Sequence, residues 1–220
     1  MEKSLSLSEK LYLLAIHPQK GGIIFWASQK LDFALLGALF LEMFLDKKIE
    51  IENKRIQVID SKSVNPAHTY LLEKMAKATR PQKITGWMSK FRFSMKHIRR
   101  QIKATLVQKR LLRLEEKQFL FIRWKKPFLM DKLVTYKLQS EAENQIFQGP
   151  GSEESFVLLS LIKPAGLLRR VVPDKYKRKT ARLKMKQLPE TSRVSETVVR
   201  VTTEVTAAVS AASAAAASGH

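Results

Sequence analysis

Four cations at helical spacing are the residues of this sequence best suited to chemistry. They follow the i, i+3, i+4, i+7 spacing of one helix side and are Lys96, Arg99, Arg100 and Lys103. The opposite side of the same segment carries an apolar stripe, Met95, Ile98, Ile102 and Leu106. Like charges at those spacings repel and cost helix stability unless an anion lies against them. Because cations that converge can hold a phosphate by charge-assisted hydrogen bonds, the pattern indicates a phosphate-binding helix.

The charge of the whole chain favours a polyanionic partner. Its 220 residues include 40 Lys and Arg against 20 Asp and Glu, a formal net charge of +20. Between Lys74 and Leu114 there are thirteen basic residues and no acidic one. Such a charge points to nucleic acid or an anionic membrane, and the third interpretation is a basic surface that is merely solvated.

Catalytic and metal-binding constellations are absent from the sequence. There is no cysteine, so disulfides and Cys-ligated metals are excluded, and a reducing cytoplasm fits. No glycine-rich phosphate loop, H-E-x-x-H or G-x-S-x-G motif occurs, and the four histidines lack ligand or catalytic partners at the required spacing. The sequence therefore predicts no enzyme activity, no metal and no cofactor, and it predicts an idle surface role for His97.

Helical periodicity predicts a mainly α fold in which these cations are positioned. A capping box at Ser6 and Glu9 predicts a first helix over 7–16. Ser28 is a candidate cap for a long helix through Leu45 that is apolar almost all round, which predicts a buried central helix. The apolar run is shorter than the roughly 20 residues that a bilayer span requires. Asn65 with Pro66 predicts the start of a further helix.

Two short β-hairpins are predicted, each after a helix. The first alternates over 49–58, and the second has a predicted turn over Glu115–Gln118. A polar loop is predicted over 140–155, followed by a buried helix over 156–162. We expect a single helical domain over 1–190, followed over 191–220 by an amphipathic C-terminal helix that frays near Ala216, with a disordered tail as the alternative.

The helix followed by a basic hairpin admits two sharp functional interpretations. In the first, the basic helix binds lipid headgroups, and an exposed Trp26 or Trp87 would settle at headgroup level, although burial is the commoner fate of a tryptophan. In the second, the same helix–hairpin motif is a winged helix that binds nucleic acid. A scaffold whose basic face meets an acidic protein is a weaker third interpretation.

The order of several sequence segments along the chain resembles that in the Golgi phosphoprotein 3 family. The stretches that carry the resemblance are LSLSEKLYLLAI, KGGIIFW, LDFALLGALFLEMFLDKKIEI, RPQKITGWMSKF, MKHIRRQIKATLVQKRLL and LLSLIKPAGLLRRVVPDKYKRKTAR. The resemblance implies a largely helical peripheral membrane protein that binds phosphatidylinositol 4-phosphate through a tryptophan and basic side chains.

Residue by residue, the resemblance implies a headgroup site at Trp26, Lys96 and Arg99, to which Arg100 and Lys103 could add. A further family arginine falls at or beside Leu36, which cannot bind phosphate. The longer apolar hairpin expected between Trp87 and Met95 is also missing there.

We therefore expect a phosphatidylinositol 4-phosphate-like anionic lipid as partner at the cytoplasmic membrane face, membrane proteins as clients, and nucleic acid as the alternative partner. Since the sequence starts almost directly on the first helix, the resemblance does not extend to the coat-binding arm of eukaryotic members, and we expect a prokaryotic or otherwise Golgi-independent role.

Overall fold

The computed structural model describes residues 4–218, which form helices and two small antiparallel sheets. The helices are α1 (Leu7–Leu14), α2 (Phe25–Ser28), α3 (Leu31–Leu45), α4 (Pro66–Met75), α5 (Ile84–Arg92), α6 (Met95–Gln108), α7 (Lys132–Gln148), α8 (Glu153–Ile162), α9 (Leu168–Val171), α10 (Lys177–Thr191) and α11 (Glu196–Ser218). The strands are β1 (Ile49–Glu52), β2 (Arg55–Val58), β3 (Gln82–Lys83), β4 (Leu112–Phe119) and β5 (Ile122–Leu129). The predicted mainly α class with two short hairpins is confirmed.

Helix α3 is the buried centre of the fold, as predicted. Its apolar residues from Leu31 to Met43 are all buried, and α1, α5, α8 and α11 pack against it. Gly37 allows α11 to approach closely, because a Cβ atom at that position would lie 2.6 Å from a Val209 methyl group. None of the described helices is both long enough and apolar enough to cross a membrane.

A buried polar joint ties three helices together at Glu42. Its carboxylate accepts hydrogen bonds from the backbone N–H of Ser8 in α1 and from Nε2 of His68 in α4, the latter at 2.6 Å. Buried carboxylates are tolerated when such donors satisfy them. The joint fixes how α1, α3 and α4 meet.

The helix starts follow the sequence signals at two positions and depart from them at a third. Ser6 and Glu9 form the predicted capping box of α1, and Asn65 caps α4 through Ala67 N–H. Ser28 does not cap the central helix: it ends α2, and its hydroxyl donates to the carbonyl of Phe25 at 2.7 Å. The prediction was wrong because a separate short helix precedes α3, whose N-cap is Lys30.

The first hairpin forms where it was predicted, whereas the second turns later than predicted. β1 pairs with β2, and β3 adds a third strand that pairs with β2. The predicted turn residues Glu115 and Glu116 are instead inside β4, opposite Lys126 and Lys125 of β5. Opposite charges across the pair stabilise the strands, so the turn moves to Leu120 and its neighbour.

The predicted polar loop over 140–155 is also wrong, since α7 continues to Gln148 and only a short connection separates it from α8. The predicted C-terminal helix is confirmed, and it continues beyond Ala216 to Ser218. Val201, Val205 and Val209 of α11 are buried. Because α11 packs on α3 and α5, it contributes to the central core.

Candidate functional site

Helix α6 presents its cations by burying the predicted apolar stripe. Met95, Ile98, Ile102 and Leu106 are at most 3% exposed, and the helix packs on α1, α4 and β4. A face held this firmly leaves the remaining positions on the surface. The cations therefore divide between two flanks of the helix.

One flank lines an open cleft of about 590 Å³ between α4, α6 and the β4–β5 hairpin. Its lining residues are Tyr70, Phe93, Ser94, Lys96, His97, Arg100, Lys103, Ala104, Leu114 and Lys125. Three of the predicted site residues, Lys96, Arg100 and Lys103, thus meet in one cleft. Lys125 joins them from β5. Among the ion pairs of residues 4–218, none includes Lys96, Arg100 or Lys103.

The wall of the cleft beside α4 is organised by hydrogen bonds and ring stacking. The Tyr70 hydroxyl donates to Oγ of Ser94 at 2.8 Å, and the Tyr70 and His97 rings lie 4.4 Å apart between centroids. Nη2 of Arg100 lies 3.0 Å from Nδ1 of His97, and because a guanidinium only donates, Nδ1 is the acceptor. His97 therefore orients Arg100, a role that the expectation of an idle surface histidine missed.

Electrostatic stress in the cleft appears at Lys103. Burial lowers the pKa of Lys103 from its ordinary value, and the positive charge of Arg99 lowers it further. Both causes disfavour the protonated amine. An anion entering the cleft would offset this repulsion.

Arg99 lies on the other flank of α6 and does not line the cleft. Its Nε is 3.5 Å from Oδ1 of Asp32 in the first turn of α3. Burial raises the pKa of Asp32 above its ordinary value, and the charge of Arg99 opposes that rise. Burial also raises the pKa of the neighbouring Tyr12 hydroxyl. Arg99 thus has a carboxylate partner, whereas Lys96, Arg100 and Lys103 have none among the ion pairs of residues 4–218, and Lys125 lies 3.8 Å from Glu116.

A comparison of the sequence with family models identifies the family. The sequence model of Golgi phosphoprotein 3 (GPP34) matches residues 7–212. The chain belongs to the Golgi phosphoprotein 3 family. A search of curated proteins finds no significant match to the chain.

Two further residues that the family resemblance singled out, Trp26 and Leu36, lie outside the cleft. Trp26 of α2 is 46% exposed, and the guanidinium carbon of Arg169 lies 5.7 Å from its ring centroid, a cation–π contact. Leu36 is fully buried in α3, so that position of this family member faces the core. Trp87, the second candidate interfacial tryptophan, is buried and stacks on Phe91.

Close backbone approach holds Trp26 in place. Gly166 has a φ of +72° and lies so near α2 that a Cβ atom there would be 2.9 Å from the Trp26 carbonyl oxygen. Only glycine fits both the conformation and the space. The connection between α8 and α9 therefore packs directly on α2 and places Arg169 over the indole.

An exposed apolar hairpin tip is present in this family member, although not between Trp87 and Met95, where the structure has α5 and the start of α6. Phe121 at the tip of β4–β5 is 98% exposed, and Leu120 and Ile122 beside it are also exposed. Leu120 has a φ of +50°, a conformation uncommon for a residue other than glycine. The tip therefore displays three consecutive apolar side chains to solvent.

The base of this hairpin is fastened to the loop before α2. The N–H of Gly22 donates to the carbonyl of Pro127 at 2.7 Å, and a Cβ atom on Gly21 would lie 2.5 Å from the Phe128 ring. Phe25, the first residue of α2, is 89% exposed. Exposed apolar groups on α2 and on the hairpin thus belong to two connected elements.

Several of these residues were missed from the sequence. Lys125 had a weak signal, because it lies opposite an acidic residue in an alternating hairpin. Arg169 belongs to segment 169–186, which contains nine basic residues. No sequence pattern near Arg169 indicates its contact with Trp26. Tyr70 and Asp32 had no signal, since their roles depend on contacts between distant segments.

Proposed function

We propose that this chain is a peripheral membrane protein that binds phosphorylated anionic lipid headgroups, of the phosphatidylinositol 4-phosphate type, in the cleft beside α6. The proposal rests on one observation, the convergence of Lys96, Arg100, Lys103 and Lys125 on an open cleft. Charge-assisted hydrogen bonds from such groups suit a phosphate monoester. Membership of the Golgi phosphoprotein 3 family supports the same function.

The exposed apolar groups support docking at a lipid surface. Large aromatic side chains are rarely left in water at the tip of a hairpin without a partner. Phe121 and Phe25 suit the boundary between headgroups and acyl chains, and Trp26 suits the headgroup level. With the headgroup in the cleft, these side chains would bind the same leaflet of a membrane facing the cytoplasm, where clients embedded in that membrane would be recruited.

The test compares cosedimentation with vesicles of equal surface charge, one set containing phosphatidylinositol 4-phosphate and the other phosphatidylserine. The double variant Lys96→Ala, Arg100→Ala removes two hydrogen-bonding cations, each worth about 1.5–3 kcal/mol. We expect binding to the first vesicle set to weaken by roughly 100-fold or more, with a smaller loss on the second set.

The matched control is Lys77→Ala, Arg80→Ala, which removes the same charge from exposed positions after α4. Circular dichroism checks that both variants keep their helices. Equal losses in the cleft variant and the control would contradict a site in the cleft. Binding of duplex DNA that persists at physiological salt and is lost in the cleft variant would favour the winged-helix interpretation instead.

A further inference from the structure

Helix α10 carries a second basic surface that is separate from the cleft. α10 packs on α7 and α8, whereas α6 packs on α1, α4 and β4. α1 contacts both α6 and α7, so it lies between the two regions. The cations of α10 therefore require an explanation other than the headgroup cleft.

The buried side of α10 determines which residues point outward. Ala181 and Leu188 are buried, and Arg178 and Met185 at the same helical spacing are half-buried. These positions form one stripe at 3.6 residues per turn. The face opposite this stripe must point away from α7 and α8.

The centre of that outward face is apolar. Tyr176, the N-cap of α10, is 89% exposed, and Leu183 is 58% exposed. The two residues are seven positions apart, which is close to two helical turns, so they lie on one line along the helix. Water therefore covers two large side chains of a basic helix, one at its N-cap and one near its middle.

Cations flank this apolar line on both sides. Lys179, Arg182 and Lys186 fall on one flank, and Lys177 and Lys184 fall on the other, as the angle of 100° per residue requires. All five side chains are exposed. In the described part of the chain, no ion pair includes a cation of α10.

We infer that α10 is a second membrane-docking element, which lies along the surface of an anionic lipid bilayer with the Tyr176–Leu183 line in the interface and the flanking cations among the headgroups. An apolar centre with basic flanks is the pattern of an interfacial helix. Lysine stems extend past buried apolar groups and keep their charges in the headgroup layer. A nucleic-acid backbone would contact the cations but would leave Leu183 without a favourable environment.

The composition of the flanks predicts what α10 recognises. Four of its five flanking cations are lysines, which act as point charges, whereas arginine gives bidentate recognition of a phosphate. α10 therefore responds to the charge density of the leaflet. It complements the cleft, which in the proposed function selects one headgroup.

The start of α10 is linked by a short segment to the residue that contacts Trp26. Tyr176 follows Arg169 by seven residues, so their Cα atoms are separated by at most about 25 Å. Arg169 in turn contacts Trp26. The distance from the N-terminal end of α10 to the residue that contacts Trp26 therefore cannot exceed about 25 Å.

The first experiment measures binding of the full chain to phosphatidylcholine vesicles that contain phosphatidylserine. In the triple variant Lys179→Ala, Arg182→Ala, Lys186→Ala, each lost cation is expected to weaken binding about fivefold, or roughly 100-fold together. The control Lys62→Ala, Lys77→Ala, Arg80→Ala lowers the net charge equally at exposed positions around α4 and should change binding little. Equal losses in the two variants would overturn the inference, because net charge alone would then explain binding.

The second experiment changes the apolar line and leaves the charge unaltered. Tyr176→Ala, Leu183→Ala should weaken binding to the same vesicles by about fivefold or more, with circular dichroism confirming that α10 stays folded. Unchanged vesicle binding would overturn the inference, because the apolar line would then not contact the membrane. Displacement of the vesicles by duplex DNA at physiological salt would favour nucleic acid as the partner of α10.

The inference rests on the proposed function only for the choice of partner, and its failure can be distinguished from failure of the cleft. Loss of α10 cations should weaken binding to phosphatidylserine and phosphatidylinositol 4-phosphate vesicles alike. Loss of Arg100 should remove the preference between them. A chain with no headgroup preference whose binding still depends on α10 would refute the cleft alone.

Discussion

The two flanks of α6 carry cations of the same types, yet the fold gives them different surroundings. Lys96, Arg100 and Lys103 face an open cleft with no carboxylate in ion-pair distance among the described residues. Arg99, one position from Arg100, faces Asp32 on α3. The comparison teaches that a basic helix can divide its charges between ligand binding and internal packing, and that one residue step decides which.

The largest expected effect compares Arg100→Ala with Arg99→Ala. Among residues 4–218 no carboxylate pairs with Arg100, so its loss should weaken binding to phosphatidylinositol 4-phosphate vesicles by roughly tenfold or more. Arg99 is already balanced by Asp32, so its loss should cost clearly less. Vesicle cosedimentation of the two variants, side by side, measures the difference. If Arg99→Ala weakens binding as much as Arg100→Ala, the headgroup also contacts the Asp32 flank, which agrees with the family resemblance at Arg99.

An intermediate effect is expected when Asp32 is removed from the flank of α6 that carries Arg99. Asp32→Asn frees Arg99 and adds one uncompensated positive charge near the surface. We expect about fivefold tighter binding to anionic vesicles, since a cation at the leaflet contributes about 1 kcal/mol. The double variant Asp32→Asn, Arg99→Ala should lose this gain. A gain that persists in the double variant would show that the effect does not pass through Arg99.

The smallest expected effect is on stability as a function of pH. Because burial raises the pKa of Asp32 in the folded chain, the folded state holds this proton more tightly than the unfolded state does. The stability from that proton is present below the ordinary aspartate pKa and is lost as the pH rises through the raised one. Asp32→Asn should remove this dependence, with a change in melting temperature of about 2 °C or less at neutral pH.

Thermal melts of the two chains from acidic to neutral pH test this prediction. Wild type should lose stability relative to Asp32→Asn as the pH rises. The opposite slope would mean that attraction to Arg99 outweighs burial at Asp32, and the two flanks would then differ more than the structure indicates.

Local patterns were sufficient for the parts of the fold that depend on neighbouring residues. The capping box at Ser6, the apolar stripe of α6 and the position of the first hairpin all follow from periodicity and side-chain chemistry within a few positions. The turn of the second hairpin was misplaced because Glu115 and Glu116 look like turn residues until lysines pair with them across the strands. Cross-strand pairing is a contact that spacing along one strand does not reveal.

The candidate site was predictable only in part for the same reason. Helical spacing put Lys96, Arg99, Arg100 and Lys103 on one side of a helix. In the structure Lys96, Arg100 and Lys103 line the cleft, and Arg99 lies on the other flank beside Asp32. Which flank meets a carboxylate depends on how α3 packs on α6, and the Asp32 contact joins segments far apart in sequence. The cation–π pair of Trp26 and Arg169 is likewise a product of tertiary packing.

The glycine pair before α2 has a mechanical consequence. Gly22 hydrogen-bonds to the end of β5, and Gly21 leaves no room for a side chain beneath Phe128. The base of the hairpin is therefore held against the loop before α2. Because Gly21 and Gly22 make this contact, a change in the tilt of the hairpin would be transmitted to α2, which bears Trp26. We expect displacement of the hairpin tip to be felt at α2, and in a chain with Trp87→Phe and Trp124→Phe the fluorescence of Trp26 would report how the tip is seated.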